Sequence, residues 1–417
     1  MKLTHWIHLP LGLLLALGLA PDEAQAHVKW FSKIVDCMSA PLDPWPVLLK
    51  PLFLALWLLT TVVLGWVFYA ERLLLPLFRR MHVWMAPRKP AGQRHMATLL
   101  RLGVAVYFAS LMSGLGPRHA MLTPELILAT PWIPACQSLI MVSVLWRRTS
   151  PLAALGILAL YAVGMTQAGW FHMLDYLYFV GVAIFLLIDA LVPGRHRHMA
   201  YTALRVAASF SLVWVSVEKW LYPAWTYDLL QGDLQALRFG LPPDLVVMAG
   251  GFVEFTLAFL LLFGRVSAQA AAAVFLLLMA AAIPVAGTID AIGHAPLLIV
   301  LLMFCLSQNR LGYRGHRARH GHDLRHVLTF VIAVPGVMGL YKLAHQLAYP
   351  ATPAVPEGSW LVACLCASLL LVHLLRTAPD WWPSRLRTLR LRSRLSGRDG
   401  GRVGSGSPTL SDEVRQA

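Results

Sequence analysis

Charged side chains are scarce in this chain, at 13% of its 417 residues, about half the share of an ordinary soluble domain. With 58% hydrophobic residues and a mean hydropathy of +0.63, a soluble globular fold is excluded and an all-α polytopic membrane protein is expected. Cysteine is also rare: of five, Cys136, Cys305, Cys364 and Cys366 fall in apolar runs and Cys37 alone in a polar segment. An odd number placed in this way gives no disulfide framework. Glycine-rich phosphate loops, a Walker-type lysine and a serine nucleophile signature are missing, which argues against nucleotide chemistry. Also missing is a pair of histidines at facing mid-membrane positions, which argues against haem-borne electron transfer by this chain. Acidic residues number 20 against 35 basic ones, for a formal net charge of +15. In a soluble chain that excess would suggest nucleic acid. Here it falls in alternate loops, so it reads as an orientation signal and no nucleic-acid partner is expected.

Read from its start, the chain opens with Lys2, an apolar stretch from Leu9 to Ala20 and Ala24-Gln25-Ala26. This pattern is that of a secretory signal peptide, residues 1–26, whose removal would leave His27 at the mature amino terminus. Residues 27–47, with three prolines and with Trp30, Phe31 and Trp45, read as an external arm on the membrane surface. Eleven apolar runs follow, beginning near Leu48, Thr98, Trp132, Pro151, Met173, Tyr201, Leu245, Ala268, Ala295, Val327 and Ser359, the ninth being short. With the mature amino terminus outside, roughly two dozen arginines and lysines fall in the inner loops and tail, against about four in the outer loops. The expected setting is a bacterial inner membrane, with a periplasmic amino terminus and a cytoplasmic carboxyl terminus. The loop at 307–326 and the tail at 376–417 are basic, and the first part of that tail suits anionic lipid.

The spans also show an internal echo. Leu100-Arg101 opens one and Leu204-Arg205 another; Gln137 precedes Arg148 by the spacing that separates Glu254 from Arg265. His172 and Asp175 sit near the outer start of a later span in one set, Asp290 and His294 in the other. Each set has four spans and starts in the cytoplasm, so the expected layout is a leading helix and loop (48–97), two parallel four-helix repeats (98–194 and 201–306), and two closing helices (327–375).

The second set, with LRVAASFSLVWVSVEKWLYPAW in its first helix and GGFVEFTLAFLLLFGRVSAQAAAAVFLLLMAA across its second and third, resembles the DoxX-like membrane proteins. That four-helix family includes the DoxD subunit of thiosulfate:quinone oxidoreductase and the MauE proteins. The first set departs from the pattern where Gln137 replaces the acid. The resemblance implies that the second set keeps the chemistry and the first is scaffold.

Ionisable groups in apolar spans are costly and mark candidate sites. Arg205, Glu218 and Glu254 are expected to form one polar core, with Glu254 as a proton-accepting or quinone-facing acid and polar glue between helices as the plainer alternative. Lys219, beside Trp220 and Tyr222, is expected to snorkel outward. Asp175, Asp290, His172 and His294 either line an outward polar pocket or are solvated loop ends. An amino-terminal His27, with His119, His172 or His294 as a further ligand, could hold copper. Three functions follow: a redox-associated component near the quinone pool; a transporter or copper-handling protein; or a non-catalytic anchor for a soluble or membrane redox partner.

Overall fold

Helix is the only way an apolar segment can satisfy its backbone hydrogen bonds in lipid without a closed barrel, and the computed structural model is built accordingly. It describes residues 39–85, 91–114, 120–128, 130–192, 197–232, 235–306 and 321–350. The expected signal peptide at 1–26, His27, Cys37, His119, residues 307–320, the expected closing run from Ser359 and residues 376–417 lie outside them. Among the described residues there is no strand, only an isolated antiparallel bridge between Ala120 and Ile127.

A short helix α1 (Pro44–Leu48), capped by Asp43 Oδ1 on the Trp45 amide at 3.1 Å, leads into α2 (Pro51–Met85). Then come α3 (Ala91–Gly114), α4 (Trp132–Val144), α5 (Ser150–Gln167), the one-turn α6 (Trp170–Met173), and α7 (Leu177–Leu191). The next elements are α8 (Arg197–Leu221), a surface helix α9 (Pro223–Gln231), α10 (Pro243–Phe263), α11 (Val266–Pro284), α12 (Gly287–Leu306) and α13 (Gly321–Ala348). Nine of these segments are long and apolar enough to cross a membrane, and α4 is a shorter apolar helix. Together they match ten of the eleven expected runs.

One boundary differs from the sequence reading. The ninth run, expected to begin at Ala295, begins at Gly287, whose φ of 81° and ψ of −174° lie where a side chain is strained. That single residue turns the chain between α11 and α12: Cys305, near the end of α12, faces the Gln269 carbonyl near the start of α11 at 4.0 Å. Asp290 and His294 therefore belong to the first turns of a spanning helix.

The helices α3, α4, α5, α7, α8 and α10 pack each against the next, α10 packs on the α11–α12 hairpin, and the hairpin returns to α3. Helices α2 and α13 lie against each other and against this ring, α2 on α10 and α13 on α8. Glycines allow close approaches between helices, two of them between the four-helix sets. A Cβ on Gly181 of α7 would stand 2.6 Å from the Ala207 Cβ of α8; one on Gly103 of α3 would stand 2.6 Å from Ile299 of α12. Gly181→Leu should therefore destabilise the protein by about 1–3 kcal/mol through overpacking. Gly250→Ala, with nothing within 4 Å of the added atom, should leave the unfolding midpoint in detergent unchanged or slightly raised.

Candidate functional site

Helices α8 and α10 run antiparallel, which decides where the three charges expected to meet are found. Near the start of α8, Arg205 donates from Nε to the Leu261 carbonyl and from Nη2 to the Gly264 carbonyl at 2.5 Å. These are the open carbonyls at the end of α10, where a cation also meets the negative end of the helix dipole. Directly beside it, Glu71 of α2 accepts from the Arg265 amide at 2.9 Å, the Val266 amide at 2.7 Å and the Ser267 hydroxyl at 2.5 Å. The α10–α11 connection is thus held by an arginine on the outgoing helix end and a carboxylate on the incoming one.

Glu218 lies thirteen positions further along α8, about 20 Å at 1.5 Å per residue. It is buried and accepts from the Tyr341 hydroxyl of α13 at 2.9 Å. Around this pair gather Phe171, Trp214 and Tyr222, with ring centroids 4.9, 4.7 and 6.3 Å from the Tyr341 ring, and His345 lies 5.2 Å from Phe171. The arm closes over this end: the Tyr222 hydroxyl donates to the Ser39 carbonyl at 2.7 Å, and Lys342 Nζ reaches the Pro41 carbonyl at 3.4 Å.

Glu254, about halfway along α10, meets Lys219 Nζ at 2.6 Å. Lysine at the end of a span was expected to reach outward. Instead it leans towards the middle, because Trp220 already ties that end of α8 to the Met248 carbonyl at 3.2 Å and the carboxylate lies about 9 Å deeper along α10. The pair keeps access, with 17% of the lysine and 30% of the glutamate side chain exposed. Arg205, Glu218 and Glu254 consequently form no common centre; each has its own partner.

The second group of polar residues is denser. His172 Nε2 stands 2.6 Å from Glu125 Oε1, which also accepts from the Tyr176 hydroxyl. His172 Nδ1 stands 4.0 Å from Asp175 Oδ2. His172, Asp175 and Tyr176 are buried and Glu125 half-buried, rather than solvated loop ends. His294 Nδ1 stands 3.0 Å from Asp290 Oδ1 in α12, where Asp290 is 1% exposed. Among the described residues, no group of three or more His, Cys, Asp or Glu side chains could hold a metal ion. His172 and His294 are thus engaged by carboxylates, and no metal set is assembled from them. Gln137 donates to the Ala120 and Met121 carbonyls at 2.5 and 3.0 Å, fixing the loop that carries Glu125.

At the arginine-bearing end of the first set, Arg101 Nη1 meets Asp189 Oδ2 at 3.3 Å and Arg147 Nε donates to the Asp189 carbonyl at 2.8 Å. On the opposite side, burial and the hydrogen bond from Tyr227 to Asp244 push the Tyr227 hydroxyl above its usual range, fastening α9 to α10.

Glu71, Glu125 and Tyr341 were not singled out from sequence. Glu71 sits beside an arginine-rich loop, where a lone acid reads as solvated. Compared with known proteins, this chain matches no family model, no curated protein and no solved structure.

Arg205→Met should lower stability by about 2–4 kcal/mol, since two open carbonyls at a buried helix end lose a charged donor. Thermal unfolding in detergent checks this, and a loss below about 0.5 kcal/mol would contradict the capping role.

Proposed function

We propose that this protein is a membrane-embedded, redox-associated component working at the quinone pool, with the Lys219–Glu254 pair facing the quinone. One observation carries the reading: an ion pair at mid-helix depth of which 30% of the glutamate side chain stays exposed, open to an apolar molecule arriving from the bilayer. A lipid-soluble quinone has two carbonyl oxygens on an apolar body. The lysine ammonium offers a hydrogen-bond donor to one of them, and the glutamate offers a proton acceptor to the reduced, phenolic form.

The resemblance to DoxX-like proteins supports the same reading, and with it a tandem origin for the two four-helix sets. The packing is what such a duplication would give, because the opening helix of each set lies against the closing helix of the other, α3 on α12 and α8 on α7. On the positive-inside rule, Arg101, Arg147 and Arg205 mark the cytoplasmic end, and Tyr176, Tyr222 and the arm the periplasmic one.

The test is binding of a short-chain quinone analogue to the purified full-length protein, read by quenching of tryptophan fluorescence. Saturable quenching is expected, weakened at least tenfold in Glu254→Gln and in Lys219→Met. Quenching that does not saturate, or that both variants leave unchanged from the wild type, would overturn the reading.

A further inference from the structure

The connection between α9 and α10 ends in a turn that is unusual twice over. Arg238 to Leu241 close on themselves, the Leu241 amide donating to the Arg238 carbonyl at 2.8 Å. Both central residues have positive φ, 48° at Phe239 and 76° at Gly240. Turns of that kind favour Asn, Asp or Gly at these positions, and an aromatic residue is strained in the first. Phe239 is also the most exposed large apolar side chain among the described residues, at 84%. Exposed side chains of the spans reach only 69%, because the neighbouring turns of their own helix shield them. Gly240, Leu241 and Pro242 are exposed as well, so the apolar tip is continuous.

The height of this turn follows from α10. Its 21 residues measure about 31 Å at 1.5 Å per residue, the thickness of a hydrocarbon core. Pro243, the first of them, therefore lies at the outer boundary of that core. Leu241 is two residues earlier, within about 7 Å of chain, which is the depth of the headgroup layer on one side. The turn keeps Phe239 beside it. Helix α9 is held at the same level, since the Tyr227 hydroxyl donates to Asp244 in the first turn of α10. On the same outer end α1 bears exposed Trp45 and Leu49, and the Leu42 amide before it donates to the Leu221 carbonyl of α8 at 3.0 Å. Arg238, half-buried at the foot of the turn, holds its guanidinium 3.4 Å from the Leu241 carbonyl, at the level where lipid phosphates lie.

We infer that Phe239 and Leu241 form a wedge inserted into the outer leaflet, with phospholipid covering the surface they expose. In water the tip would combine backbone strain with apolar exposure and gain from neither. At the boundary of headgroups and acyl chains the ring is taken out of water, as the apolar face of an interfacial element is. A soluble protein would have to reach the same side chains through the headgroup layer, which favours lipid as the occupant. The wedge fixes the depth of α10: Glu254, eleven residues beyond Pro243, is held about 16 Å below the boundary, near the centre of the bilayer. It does so whether or not a quinone binds there.

Photocrosslinking of the full-length protein tests this, with p-benzoylphenylalanine in place of Phe239 or, separately, of Leu241. Irradiation is carried out in native membranes and in vesicles of phosphatidylethanolamine and phosphatidylglycerol. It should add the mass of one phospholipid to the chain in both settings. The yield should be at least fivefold that of the same probe in place of Asp228, on the exposed polar face of α9. A crosslinked polypeptide instead of lipid, a lipid yield no higher than at position 228, or no lipid adduct from either position would overturn the wedge. Should one replacement prevent folding, the other carries the test.

Discussion

A charge inside an apolar span has to be answered within reach of its own side chain, because lipid offers it nothing. Among the described residues five such cases have a local answer. Arg205 lies on open helix carbonyls, Glu71 on open helix amides, Lys219 on Glu254, Glu218 on Tyr341, and Asp189 beneath Arg101 and Arg147. The backbone takes part as much as the side chains do. A helix end in an apolar bundle is itself a partial charge, and two of the costliest ionisable groups serve as its caps.

This local accounting divides the molecule into two ends with different work. At the end marked by Arg101, Arg147 and Arg205, charges meet helix termini and fix how one span turns into the next. At the other end the polar groups meet one another, and aromatic rings fill the space between them. Caps tolerate little change in position, because they follow the backbone.

Much of the architecture was legible because a spanning helix is a long apolar run and little else. Ten of the eleven expected runs are helices, and the eleventh lies outside the described residues. The start of α12 was missed because Thr288, Asp290 and His294 look like a loop, while the turn itself consists of little more than Gly287. The convergence of Arg205 with Glu218 was excluded by arithmetic available in the sequence: thirteen residues of helix separate them by about 20 Å. The pairing of Lys219 with Glu254 was not accessible in that way. It depends on the register between α8 and α10, which Trp220 and the glycine opposite it, Gly251, set by contact. Tyr341 carried no signal, since a tyrosine near the end of a span is ordinary interfacial sequence.

The claim underlying all of this is that intramembrane charges are balanced pair by pair, and a double-mutant cycle on Lys219 and Glu254 tests it most directly. Unfolding free energies in one detergent would be compared for Lys219→Met, Glu254→Leu and the double substitution. Each single change should cost more than the two together, with a coupling of about 1–3 kcal/mol, because the remaining charge is stranded in the single variants and absent from the double. Losses that simply add would mean that the two charges are satisfied elsewhere, and would contradict the account.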